Sequence, residues 1–340
     1  MAPHAPKVSV IVPAYDAAWC IGRLLDSIAA QSLTDFEAIV VDDGSTDGTA
    51  AIVRSFAARD SRFRLVEQQN AGPAAARNRG IAEAAGEYLA PVDADDLWHR
   101  DYLRQMTQAL DAPQAAKSPF AFCYSCWIDE DDRFHPAPLP PSPPRADFIG
   151  LLRCNAVGNG SCAVFRRERV LQVGGYDATL RARGARGGED WKLVLELAAL
   201  GQPVVTPSFL VGYRRTDRSL SADPMLQARS SLIVLDDLRK RFPKVPRRHF
   251  WAARTDFLVW VLPNWARRGD GKALLKYGVL AYLANPFWIA SPQARHLLSR
   301  MLRALFGRRQ AAPTAAMVKF GDHAPGGEPA AGSASPDAGS

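Results

Sequence analysis

Over the first hundred residues, short apolar runs closed by small or acidic residues alternate with stretches of helical spacing. Lys7–Val12 reads as a buried strand, and Pro13-Ala14-Tyr15 is expected to stop it. Within 19–31, Ile21, Leu24, Leu25 and Ile28 recur at three- and four-residue steps, the spacing of one helix face. Phe36–Val41 is a second strand and runs into Asp42-Asp43-Gly44-Ser45-Thr46-Asp47-Gly48, a turn sequence. A helix over 50–59, a short strand at Arg64–Val66, a loop at Asn70-Ala71-Gly72-Pro73 and a helix over 74–85 follow. Glu87–Val92 is another apolar run, ending at Asp93-Ala94-Asp95-Asp96. Strands alternating with helices need crossover connections, so the class is α/β, with a mainly parallel central sheet flanked by helices. Ligands of such sheets lie outside the carboxyl ends of the strands. Pro13 and both acidic clusters fall at those ends.

From about residue 120 the pattern turns to strands and long loops. Phe120–Trp127 is apolar and aromatic, as a buried strand would be, and His135–Arg145 holds six prolines in eleven residues, an irregular surface loop. Glu189–Leu200 has helical character and 204–213 that of a strand. Gly158-Asn159-Gly160-Ser161-Cys162-Ala163 approaches the glycine fingerprint of dinucleotide enzymes. It leads into Val164-Phe165, more strand-like than helical, which argues against a dehydrogenase. Residues 225–308 read as several basic amphipathic helices rich in Trp and Leu, and 311–340 are mostly Ala, Gly, Pro and Ser. The expected organisation is a catalytic domain at 1–224, a basic helical extension at 225–310 and a disordered tail at 311–340.

Charge sharpens that division. Residues 225–310 carry 17 Lys/Arg against 4 Asp/Glu, net +13, while 1–224 carry 24 against 28. The arginines alternate with Trp251, Trp260, Trp265 and Trp288, and no nucleic-acid motif is recognisable. That mixture suits an interfacial contact with an anionic membrane surface, or packing on the catalytic domain, better than nucleic acid. Tyr277–Ser291 is uncharged, but Asn285-Pro286 breaks it, and it falls short of the roughly 20 residues a spanning helix needs. Val8–Val12 is too short for the apolar core of a secretory signal, so a cytoplasmic location is expected, peripheral on the inner face of the membrane. Five cysteines with one C-x-x-C (Cys123, Cys126) and no second close pair read as reduced structural thiols.

Asp93 and Asp95, two carboxylates one residue apart at a strand end, can share a hard divalent cation with a diphosphate. Three more stretches stand out beside them: Asp42-Asp43-Gly44-Ser45, the loop and helix from Asn70 through Arg77-Asn78-Arg79-Gly80, and Gly187-Gly188-Glu189-Asp190-Trp191. Together with Val8-Ser9-Val10-Ile11-Val12-Pro13-Ala14-Tyr15 and Tyr88–Trp98, they fall in the order and spacing of the family 2 inverting glycosyltransferases, which the chain closely resembles across 7–220. The resemblance implies the GT-A nucleotide-diphospho-sugar transferase fold and a C-terminal helical appendage. It also implies roles for individual residues. Pro13 begins the first nucleotide loop, beside Tyr15, and Asp43 accepts from the base's N–H. Arg77 helps hold the nucleotide from its other side, and Asp93 lies near ribose and metal. Asp95 binds Mg²⁺ or Mn²⁺ directly, and Asp190 is the general base. Glu189, Trp191 and Arg214 are candidates for acceptor or diphosphate contacts.

The implied donor is a nucleotide diphosphate sugar, expected to be a UDP-sugar. The implied acceptor is a hydroxyl of a glycan or lipid-linked molecule in polysaccharide or glycoconjugate synthesis. Breaking a glycosyl phosphate releases a dianionic diphosphate that a cation neutralises, and a carboxylate takes the acceptor's proton. Two departures from the family pattern matter. Many relatives carry a metal-contacting His after the last strand, where this chain has Tyr213-Arg214-Arg215-Thr216-Asp217. The Gln-x-x-Arg-Trp element of processive synthases is also absent, so a single-addition enzyme is expected.

Overall fold

The computed structural model describes residues 5–135, 146–214, 224–268, 271–284 and Phe320. Its strands are β1 (Val8–Ala14), β2 (Phe36–Asp42), β3 (Phe63–Glu67), β4 (Tyr88–Pro91), β5 (Leu97–Trp98), β6 (Phe120–Ile128), β7 (Phe134–His135), β8 (Ala163–Arg166) and β9 (Val204–Arg214). The helices are α1 (Ile21–Ala29), α2 (Thr49–Ala57), α3 (Pro73–Glu83), α4 (Tyr102–Asp111), α5 (Phe148–Arg153), α6 (Arg167–Val173), α7 (Thr179–Ala182), α8 (Glu189–Ala198), α9 (Pro224–Arg241), α10 (Arg247–Arg268) and α11 (Gly271–Ala284). One sheet runs β3-β2-β1-β4-β8-β6-β9-β5, with β7 added at β6.

The first four strands are all parallel, as the alternation of strands and helices requires. Beyond β4 the sheet is mixed. β8 is antiparallel to both β4 and β6, β9 is parallel to β6, and β5 is antiparallel to β9. β1 and β2 are buried along nearly their whole length because helices cover both faces, which explains their unbroken apolar runs. α1 turns Ile21, Leu24, Leu25 and Ile28 onto the sheet, the face its spacing predicts.

Pro13 does not end the first strand. It pairs opposite Val41 inside β1. Ile11 faces β4, its carbonyl accepting from Val92 N–H, whereas Ala14 faces β2, its carbonyl accepting from Asp43 N–H. By alternation Pro13 points to the β4 side, beyond the end of that pairing at Pro91. Its missing donor therefore costs no ladder bond.

The basic extension starts inside the main core. Val234, Leu235 and Leu238 of α9, with Phe250 and Ala253 of α10, belong to the same buried cluster as the sheet. A smaller cluster joins Ala228 of α9, Leu258 and Leu262 of α10, and Tyr277 and Ala281 of α11. Among the described residues no helix is long and apolar enough to cross a membrane. The proline-rich loop, the segment from Arg215 and the chain beyond α11 fall almost wholly outside the described residues. So does the expected tail, except at Phe320, which is buried against Leu97, Cys126, Ile128 and Phe209. The cysteines are all free thiols.

Gly80 explains how α3 reaches the sheet. A Cβ there would lie 2.5 Å from Ile11 Cγ2 and 3.4 Å from Val41 Cγ2. Gly80→Ala should therefore keep the fold but overpack this contact by about 1–3 kcal/mol. A drop of several degrees in the thermal midpoint, with unchanged far-ultraviolet circular dichroism, is the expected measurement.

Candidate active site

The loops after β1 and β2 are laced together by short polar side chains. Asp42 Oδ1 accepts from Ser45 N–H at 3.0 Å and from the Ser45 hydroxyl, closing the turn. Ser45 Oγ accepts from Asp16 N–H, and Thr49 Oγ1 from Ala17 N–H at 2.8 Å. Asp47 Oδ2 accepts from Ala18 N–H at 3.0 Å. Most of the acidic turn thus holds backbone, while Tyr15 stands 53% exposed at the mouth.

Asp43 is buried and its carboxylate is engaged. Oδ1 accepts from Gln68 Nε2 at 2.7 Å and from Ala71 N–H at 2.9 Å, and Oδ2 accepts from Gly72 N–H at 2.8 Å. In this structure the expected base-reading carboxylate anchors the loop that opens α3. Contact with a base would use its remaining lone pairs or replace one of these amides.

Deeper in, four segments converge. Arg77, from α3, is only 4% exposed. Its Nη1 donates to Glu189 Oε1 at 2.9 Å, its Nη2 to Asp93 Oδ1, and its guanidinium lies 5.4 Å from the Tyr176 ring centroid. Burial alone would lower the Arg77 pKa, but Asp93 and Glu189 outweigh it and hold the pKa well above the ordinary value. Expected to grip nucleotide, this guanidinium is turned onto carboxylates and ties α3 to β4 and α8. Glu189 is buried and its Oε1 is likewise engaged by Arg77.

Gly160 marks the centre of this group. A Cβ built there would lie 3.6 Å from Arg77 Nη2, 3.9 Å from Asp93 Oδ2 and 3.9 Å from Asp190 Cβ. Gly187 and Gly188, both at positive φ, turn the chain so that Glu189 and Asp190 open α8. The turn is held from behind by α9. Ser230 Oγ accepts from Arg186 N–H at 2.9 Å, and Val234 Cγ2 and Ser230 Cβ lie 3.5 and 3.7 Å from the Cβ position of Gly188. Asp190 Oδ1 accepts from Trp191 N–H at 2.7 Å. Burial and the neighbouring Glu189 raise the Asp190 pKa to about 6, against the lowering by Arg77. Such a carboxylate is ionised at neutral pH yet basic enough to take a proton. Trp191 lines a small cavity beside Asp190, but its indole N–H donates to Leu151 O at 3.1 Å and its ring stacks on Phe257, so it is mainly core.

Asp95 has its pKa raised to about 6 by burial and then by Asp93, with Arg214 opposing. A buried carboxylate whose charge is disfavoured by a neighbouring one suits a cation beside it. Among the described residues there is no group of three or more His, Cys, Asp or Glu that could hold a metal. Asp93 and Asp95 are thus a two-carboxylate set of hard oxygens, the kind that holds Mg²⁺ together with a substrate diphosphate. These residues fit the implied cation.

Arg214 is not placed for a diphosphate. It is 1% exposed. Its Nε donates to Asp95 O at 2.8 Å, Nη1 to Asp129 O and Nη2 to Asp132 Oδ1. With its own N–H on Asp96 Oδ1 at 3.0 Å, it braces the acidic turn from beneath. Two residues the sequence reading passed over complete that brace. Ser161 Oγ accepts from Asp93 N–H at 3.0 Å and donates to Asp96 Oδ2 at 2.5 Å. Asp96 is fully buried, which, with Asp95 and Asp93, raises its pKa. The near-fingerprint around Gly160 forms one 3₁₀ turn leading into β8 and serves as the floor of the site. Gly158, at positive φ, and Gly160 are the sequence signal of this turn.

Residues 9–170 match the family model described as Glycosyl transferase family 2. The chain is 39% identical over 109 residues to glycosyltransferase GlyA of Streptococcus pneumoniae, 40% over 103 to the putative glycosyltransferase EpsH of Bacillus subtilis, and 40% over 104 to the putative teichuronic acid biosynthesis glycosyltransferase TuaG of Bacillus subtilis. These stretches are 32%, 30% and 30% of this chain and span 16%, 30% and 41% of the relatives' own lengths, less than half in each case. Among solved structures, the mannosyltransferase PcManGT of Pyrobaculum calidifontis, in complex with GDP-Man and Mn²⁺, aligns at TM-score 0.54 and 22% identity over 89% of this chain and 88% of its own. Residues 1–349 of S. aureus TarS with UDP-GlcNAc align at TM-score 0.55 and 17% identity, covering 88% and 89%. At those identities the likeness speaks for the fold. The sequence matches and the fold agree: residues 9–170 match glycosyl transferase family 2, and the chain has the GT-A architecture.

Proposed function

We infer that the protein is a single-addition, inverting glycosyltransferase that moves one sugar from a nucleotide diphosphate sugar, expected to be a UDP-sugar, to a hydroxyl of a glycan or lipid-linked acceptor. The carrying observation is the convergence of Arg77, Asp93 and Asp190 around Gly160, with Asp190 raised to about 6. The bound GDP-Man and UDP-GlcNAc of the structural neighbours support a nucleotide sugar donor. The division at residues 224 and 310, the cytoplasmic location and the attraction of the basic 225–310 segment to anionic membrane belong to the same reading.

In this mechanism the acceptor oxygen attacks the anomeric carbon from the face opposite the diphosphate. Its proton passes to Asp190, the bond from that carbon to the phosphate oxygen breaks, and one displacement inverts the centre. Tyr15 and the loop anchored by Asp43 flank the nucleotide. Asp93 and Asp95 would hold Mg²⁺ or Mn²⁺, which when bound neutralises charge on the departing diphosphate. Arg77 keeps Asp93 in place, and Ser161 with Asp96 and Arg214 keeps the Asp93–Asp96 turn in shape.

Asp190→Asn should leave donor affinity nearly unchanged, by calorimetry, and cut turnover by a factor on the order of 10² to 10⁴. Normal turnover in that variant, or a product whose anomeric proton signal shows the donor's configuration, would overturn the assignment. Asp95→Asn should weaken metal-supported donor binding while the circular dichroism spectrum stays the same. Full binding and turnover of wild-type enzyme in excess chelator would remove the metal role. Base catalysis needs ionised Asp190, so kcat/KM at saturating metal should fall as pH drops through about 6. A flat profile from pH 5 to 8 would contradict it.

A further inference from the structure

We propose that α11 and the corner between α9 and α10 form one docking face for an anionic lipid bilayer, with α11 lying in the plane of the interface. This rests on the reading that 225–310 meets an anionic membrane, and it names the surface that does so.

α11 is apolar on two opposite sides. Tyr277 and Ala281, four residues apart, face inward and share a buried cluster with Leu258 and Leu262 of α10. At about 100° per residue, Leu275, Val279, Tyr282 and Leu283 lie on the other side. They are 71%, 47%, 47% and 69% exposed. The stripe runs about 12 Å along the helix, with Lys272 and Lys276 exposed on its flank. Large apolar side chains presented together to water mark an interaction surface.

The chemistry of the partner comes from the neighbouring corner. Only two residues separate α10 from α11, so α11 runs back along α10 and its C-terminal end returns toward the start of α10. There, Arg239, Lys240, Arg241, Lys244, Arg247 and Arg248 are all exposed, with no acidic residue among positions 239–248. Arg241 reaches back to Glu196; the others face outward. Trp251, one turn further along α10, is 52% exposed. An apolar stripe with lysines at its edge, beside a basic corner and an exposed indole, matches an acidic headgroup layer over acyl chains. Over its described residues α11 runs for 14 positions, about 21 Å of helix, long enough to lie along the interface.

The test is sedimentation of the full chain with vesicles of phosphatidylglycerol mixed with phosphatidylcholine, and with phosphatidylcholine alone. Wild type should pellet with the anionic vesicles, and salt should release it. Leu275→Glu combined with Leu283→Glu should lower the partition coefficient about ten-fold or more, with unchanged donor affinity and thermal midpoint. If that pair disturbs folding, Tyr282→Ser alone should still lower it several-fold. Lys240→Glu with Arg248→Glu should weaken binding and flatten its salt dependence. Wild type that fails to bind any vesicle overturns both this inference and the membrane reading beneath it. Wild type that binds anionic vesicles while the stripe variants bind equally overturns this inference alone, whereas equal binding to neutral vesicles overturns both. A wild-type dimer that the stripe variants convert to monomer, by light scattering, would assign the face to a second copy of the chain and overturn it too.

Discussion

The site hangs on the buried guanidinium of Arg77. It takes the helix after the Asn70–Pro73 loop, the carboxylate just past β4 and the acidic start of α8, and fixes all three to one planar group. Removing one partner of such a buried pair typically costs about 3–5 kcal/mol, because the charge left behind has lost both water and counterion. The geometry of Asp93 and Asp190 is therefore inseparable from the folding of the domain around it. A Lys could supply charge at this position but not two fixed donors at the same spread.

Around that cation the fold keeps carboxylates in a setting that disfavours their ionisation. Asp95 and Asp190 both have pKa values near 6, above the ordinary 3.8. An acid whose folded pKa is raised stabilises the protein less as pH rises from about 4 to 6, because the unfolded chain ionises more readily. At neutral pH both groups are charged at some cost to stability. A divalent cation at Asp93 and Asp95, or a proton shared with an acceptor at Asp190, relieves that cost.

How much of this was legible in the sequence varied along the chain. β1 to β4 and α1 to α3 could be placed to within a few residues, because period and turn chemistry agree there and each element packs on its neighbour in sequence. β8 and β6 could not be ordered, since their pairing joins residues far apart and leaves no local period. Asp93 and Asp190 lie beside Gly160, and Asp95 lies next to Asp93. Arg77, Asp43, Glu189 and Arg214 have partners within the chain that the sequence did not show, for one shared reason. A polar side chain reads the same in a sequence whether it faces a ligand or another part of the chain, and burial decides. Ser161 and Asp96 carried no signal at all, because a short hydroxyl and a third aspartate gain their roles only from the turn they brace.

The clamp of Ser230 on Arg186 bears on modularity. The turn presenting Asp190 is propped by a helix that sequence reading assigned to an appendage, and that helix shares its core with the sheet. The C-terminal helices therefore cannot be exchanged between relatives as a free cassette, since a graft that keeps every catalytic residue still needs a surface matching Gly188 and Arg186. Variation in this part of the chain is constrained from two directions at once, by whatever its outer side meets and by the placement of a carboxylate on its inner side. A change that suits the outer partner must also leave the inner one where it was.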